Sequence, residues 1–132
     1  MKFGVMFANT GPFVEPDAAV ALATAAEDAG CESIWTVEHV VVPSGYASQY
    51  PYAKDGKMPG GREDFDIPDP LIWLSYIAAA TEKICLGTGV MIMPQRNPLV
   101  TAKAVATLDL SLIHISEPTR PLYISYAVFC LK

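Results

Sequence analysis

The sequence predicts an α/β protein made of three consecutive strand-then-helix units, and two observations carry that prediction. Three short apolar runs rich in strand formers, at positions 2–7, 33–37 and 84–93, are each followed by a segment of good helix formers. Each helical segment has a proline at a first-turn position, Pro16, Pro70 and Pro98, where the missing N–H would have had no intrahelical partner. Strands joined by crossover helices must run the same way, so the sheet is expected to be parallel.

The first run, "KFGVMF", ends in the turn-forming "ANTGP". The helix after it starts at Pro16, places Asp17 where the helix dipole favours negative charge, and stops at Gly30. The second run, "SIWTV", is followed by a long connection and then by Asp69, which can cap a helix beginning "PLIWLSYIAAATEK". The third run, "ICLGTGVMIM", leads to Asn97 as cap and to the helix "PLVTAKAVATLD". The strands are apolar on both faces, which suits a closed barrel and a doubly wound sheet equally.

Composition narrows the function classes. The chain has 132 residues, 52% hydrophobic and 17% charged, enough for a sizeable core. A net charge of −5 without a basic patch argues against nucleic acid or an anionic membrane as partner, since both require clustered Lys and Arg. The amino-terminal stretch holds no apolar run long enough for a signal peptide or a membrane span, so a cytoplasmic location is expected. Cys31, Cys85 and Cys130 are odd in number and fall at no metal-ligand spacing; they fit a reducing compartment, and no metal is expected.

In parallel α/β folds ligands bind beyond the carboxyl ends of the strands, which directs attention to Ala8 to Thr10, Glu38 and His39, and Val90 to Arg96. His39 can move a proton, donate a hydrogen bond or sit beside a cofactor near neutral pH, or it can merely satisfy a loop carbonyl. Glu38 can accept a hydrogen bond from a ligand or stand solvated. Gly87 and Gly89 interrupt the third run, where glycine marks a bulge, a close ligand approach or tight packing. The stretch 41–68 is long for a strand-to-helix connection and carries Tyr46, Tyr50, Tyr52 and Phe65, a set that can wall a pocket or pack on itself.

Taken together, "FGVMF", "AEDAGCESIWTVEHVVVP" and "DPLIWLSYIAAATEKICLGTGVMIMPQRNPLVTAKAVATLD" resemble the luciferase-like superfamily of flavin and deazaflavin oxidoreductases, which are (β/α)8 TIM barrels. The resemblance covers residues 1–109, three of the eight units, so the chain is expected to be the amino-terminal part of an incomplete barrel. "SIWTVEHVVVP", "YPY" and "PQRNP" are similar to the branch that uses the deazaflavin coenzyme F420 in place of FMN. The resemblance implies hydride transfer between F420 and a small organic substrate; the alternatives are an FMN-dependent monooxygenase and a small non-catalytic α/β binding module. It also implies Glu38 and His39 beside the cofactor ring, with His39 catalytic. A bulge with a non-proline cis peptide is implied under the ring at Gly89 and Val90, and Tyr50 and Tyr52 are implied to face substrate. The parent protein is expected to be a homodimer.

After Asp109 the pattern changes. Leu110 to Arg120 and Ile124 to Lys132 resemble, residue for residue, the two ends of a translated sequencing adapter, with Pro121, Leu122 and Tyr123 filling the index between them in frame. Residues 110–132 are therefore expected to be a non-native tail, against the alternative that "LYISYAVF" is a genuine strand. A three-unit chain would leave its first and third strands with bare edges, and is expected to bind cofactor negligibly, to lack activity and to self-associate.

Overall fold

The structure, a computed structural model, describes residues 1–50, 54, 56–58, 63–111 and 130–131. Its elements follow the predicted order: β1 (Gly4–Val5), α1 (Pro16–Asp28), β2 (Ser33–Thr36), α2 (Pro70–Ala80), β3 (Cys85–Thr88) and α3 (Pro98–Ser111). A 3-10 turn, Gly11–Val14, lies between β1 and α1, and another, Met93–Gln95, precedes α3. β1 pairs with β2 and β2 with β3, both in parallel, with Ile34 opposite Val5 on one side and Leu86 on the other.

The helix ends form by the local rules that mark them in the sequence. Asp69 Oδ1 accepts from the N–H of Leu71 at 2.9 Å and of Ile72 at 3.1 Å, satisfying two donors that an α-helix leaves open. Asn97 does the same for Leu99 at 3.0 Å and Val100 at 3.2 Å. α1 closes on Gly30 at φ +78, with the N–H of Gly30 donating to Glu27 O and that of Cys31 to Ala26 O, a Schellman closure.

One face of the sheet is covered by helices. Ile34 and Leu86 are fully buried there against Ala19 and Ala23 of α1 and Leu74 and Ile77 of α2. The alanines let α1 approach closely, and the burial of the larger side chains supplies roughly 25 cal/mol per Å² of apolar area. Trp73 of α2, 1% exposed, donates its indole N–H to Phe13 O at 2.7 Å and so ties α2 to the turn after β1. On the opposite face Trp35 lies across Gly87, where a Cβ would come within 2.6 Å of the indole.

Four expectations are corrected. β1 is shorter than 2–7, because Phe7 adopts φ +58 and turns the chain out of the sheet. β3 ends at Thr88 rather than running to Met93: after Gly89 the chain bends and Met93-Pro94 enters a 3-10 turn, as a proline without an N–H favours. The described residues hold no cis peptide, so Gly89–Val90 is trans; trans is the low-energy form, and the Gly89 N–H is satisfied by Thr36 O at 2.7 Å. Finally, the outer edge of β3 is not bare. A short strand β4 (Cys130–Leu131) pairs with it antiparallel, Leu86 opposite Leu131 and Gly87 opposite Cys130. Unpaired N–H and C=O groups on an edge recruit extended chain, and no βα unit would give this direction. Most of 110–132 lies outside the described residues, while α3 itself continues to Ser111.

Candidate functional site

The carboxyl ends of β1 and β2 open into a cavity of about 730 Å³ bordered by Tyr50, Met58 and residues 64–67 of the connection to α2. Its lining includes Phe7, Val37, His39, Tyr50, Phe65 and Asp66. Two of the sequence-predicted residues, His39 and Tyr50, thus meet in one space. Tyr52 lies outside the described residues. Gly89 and Val90 do not line the cavity; they follow β3, with Val90 36% exposed and the Gly89 Cα hydrogen side facing Met6 and Trp35 at ordinary contact distance.

Glu38 is next to His39 in sequence but is engaged elsewhere. Its side chain is 2% exposed. Oε2 accepts the Ile92 N–H at 2.5 Å, and Oε1 accepts Arg96 Nε at 2.6 Å and also Arg96 Nη2. The same guanidinium reaches Asp69 Oδ2 at 2.6 Å, while Asp69 Oδ1 caps α2. Burial works against the charge on Arg96, but its bonds to Glu38 and Asp69 more than offset that and raise its pKa above the usual arginine value. One guanidinium therefore joins the end of β2, the segment after β3 and the start of α2.

A second clasp comes from Asn9, fully buried after β1. Its Oδ1 accepts the Val37 N–H at 2.8 Å, and its amide donates to Val37 O at 2.8 Å and to Pro68 O at 3.4 Å. Val37 and Glu38 are held on both sides, which fixes the backbone from which His39 projects. Asn9 and Arg96 fall within the strand-end segments marked in the sequence, yet their partners are 28 and 58 positions away, and no local signal points to them.

The described residues of the connection bond to one another. The Glu63 carboxylate accepts the Gly45 N–H at 2.5 Å and Lys57 at 2.6 Å, and both interactions lower its pKa. Lys57 also sits 4.6 Å from the centre of the Tyr46 ring, whose hydroxyl accepts the Met58 N–H at 3.0 Å.

The donor set fits the ring end of a flavin or deazaflavin: an imidazole faces aromatic and aliphatic walls in a space within the roughly 300–1,000 Å³ range of ligand pockets. Among the described residues no group of three His, Cys, Asp or Glu is placed to hold a metal, and no helix is long and apolar enough to cross a membrane.

Consecutive βα units with a cavity at the carboxyl ends of their parallel strands are the arrangement of part of a TIM-barrel scaffold. The luciferase-like monooxygenase family model matches residues 1–112, and the chain belongs to that family. An uncharacterised protein of Mycobacterium tuberculosis is 29% identical over 109 residues, covering 83% of this chain and 37% of that one. The F420-dependent glucose-6-phosphate dehydrogenase of Kineococcus radiotolerans is 33% identical over 87 residues, 65% of this chain and 21% of that one. Among solved structures, the monooxygenase RslO1 from Streptomyces bottropensis superposes with a TM-score of 0.56 at 29% identity, covering 85% of this chain and 30% of that one. The chain thus spans little more than a third of the mycobacterial relative and about a fifth of the dehydrogenase.

Proposed function

We propose that residues 1–109 are the opening units of an F420-dependent oxidoreductase that exchanges a hydride with a small organic substrate, and that 110–132 is foreign to it. The observation that carries this is the His39 imidazole lining a cavity with Tyr50 at the carboxyl ends of the parallel strands β1 and β2. The F420-dependent dehydrogenase relative supports the deazaflavin. When bound, the deazaflavin supplies two-electron hydride chemistry. This chain's residues would do the rest: His39 would hold or move a proton at a ring nitrogen, Tyr50 and Phe65 would exclude water, and Asn9 and Arg96 would keep His39 in place. Glu38 would act through its bonded position beside His39, and Gly89 and Val90 through the backbone after β3. A homodimeric, cytoplasmic parent accompanies this reading.

A second reading, FMN-dependent monooxygenation, is favoured by the monooxygenase neighbour RslO1. The two separate in the complete gene product. Anaerobic hydride transfer with F420 supports the first; oxygen consumption with reduced FMN and no F420 turnover supports the second. His39→Ala should lose at least about tenfold in turnover or in cofactor affinity, a typical contribution of a positioned proton carrier being 10²–10⁴. Unchanged kinetics would remove His39 from the site. A clean genomic read past the Asp109 codon tests the tail: further βα units support the proposal, and the same tail there refutes it.

A further inference from the structure

We infer that a second, smaller cavity beside His39, of about 240 Å³, binds a small organic group through a carbonyl or hydroxyl oxygen, and that Tyr46 is the residue that recognises that oxygen. The inference rests on the functional reading above only for calling the group part of a substrate.

The first observation is where His39 stands. His39, Tyr50 and Met58 line both this cavity and the larger one of about 730 Å³, so they form the boundary between the two. The backbone leading to His39 is fixed by the Asn9 and Arg96 clasps, yet no described residue hydrogen-bonds its imidazole. A ring with two nitrogens on a fixed backbone, bordering two spaces, can serve a ligand in either.

The second observation is how Tyr46 is held. Gly45 turns at φ +71, a left-handed conformation that glycine takes without strain, and its N–H donates to Glu63 at 2.5 Å. The Tyr46 ring that follows lies 4.6 Å from Lys57 Nζ, and its hydroxyl accepts the Met58 N–H at 3.0 Å. Fixed at ring and hydroxyl, the phenol still has its own proton to donate. A donor ordered before the ligand arrives loses little entropy on binding, which separates a recognition group from a mobile surface tyrosine. Val41, Val42 and Pro43 supply apolar wall for the carbon skeleton beside that donor. At roughly 30 Å³ for each water displaced, the space holds a single five- or six-membered ring.

The test follows the methyl signals of isotope-labelled methionines by NMR in the dilute 132-residue chain. The probes are cyclopentanone and cyclopentene, rings of one size with and without the oxygen. Met58 reports the cavity, Met6 the open sheet face beside Trp35, and Met91, 1% exposed, the core. Cyclopentanone should shift Met58 saturably with about millimolar affinity, the scale its few non-hydrogen atoms allow, and leave Met91 in place. Tyr46→Phe keeps the ring and removes the hydroxyl; it should weaken cyclopentanone by about threefold or more and leave cyclopentene unchanged. A merely structural role for the hydroxyl would weaken both rings alike. No saturable shift at Met58, a Met6 shift as large as that of Met58, or equal effects of Tyr46→Phe on the two rings would each overturn the inference. Selective weakening of the ketone, together with failure of the complete gene product to bind F420 or FMN, would overturn the redox reading alone.

Discussion

Replacing Arg96 with Met tests the clasp that fixes the end of β2. Glu38 would keep only the Ile92 N–H for a carboxylate whose side chain is 2% exposed, and Asp69 would lose the contact at Oδ2. Removing one partner of a fully buried ion pair costs about 3–5 kcal/mol because the other charge is stranded. Arg96 is itself 16% exposed and Asp69 36% exposed, so water reaches part of the vacated space. The expected loss is accordingly about 2–4 kcal/mol. With a urea slope of about 1–2 kcal/mol per M, the unfolding midpoint followed by tryptophan fluorescence should fall by about 1–4 M. The decisive variant is Glu38→Gln with Arg96→Met. Removing the stranded charge should recover about 1–2 kcal/mol of the single-variant loss. A double variant no more stable than Arg96→Met would show that Glu38 is not the group the guanidinium compensates.

Two further outcomes follow from the packing. Glu27 accepts the N–H groups of Glu82 at 3.0 Å, Lys83 at 2.5 Å and Ile84 at 2.8 Å; burial pushes its carboxyl up, but these three donors outweigh it and hold the pKa below the usual 4.5. A depressed folded pKa contributes stability above about pH 4.5 that is lost as pH falls through the folded value. Glu27→Gln should therefore flatten the acid limb of a stability-against-pH profile, at a neutral-pH cost under about 1 kcal/mol for a group that water still reaches; an unchanged limb would refute the assignment. Gly87→Ala would put a Cβ 2.6 Å from the Trp35 ring, and the indole must move. A loss of about 1–3 kcal/mol with a shifted tryptophan emission is expected, and an unshifted spectrum would exclude the stacked arrangement.

How much of this was legible in the residues depends on the range of the signal. The helix starts at Pro16, Pro70 and Pro98 and the caps at Asp69 and Asn97 are written within a few positions of one another, and each forms as read. Strand ends were less so: residues 84–93 read as one apolar run, but backbone geometry after Gly89 ends the strand at Thr88. The site divides the same way. His39 is marked by its place at a strand end, whereas Glu38, legible as a carboxylate beside it, is turned by Arg96 into a bonded member of a clasp.

By itself the sequence determined that the chain alternates strand and helix and that β1, β2 and β3 run parallel, because capping, chain direction and hydrophobic period are properties of neighbouring residues. Only the tertiary structure decided that Phe7 leaves the sheet at positive φ, that Arg96 joins Glu38 to Asp69, and that Asn9 grips Val37 and Pro68. Those outcomes depend on groups 27 to 59 positions apart meeting in space, and a contact of that range leaves no periodic trace in a single chain.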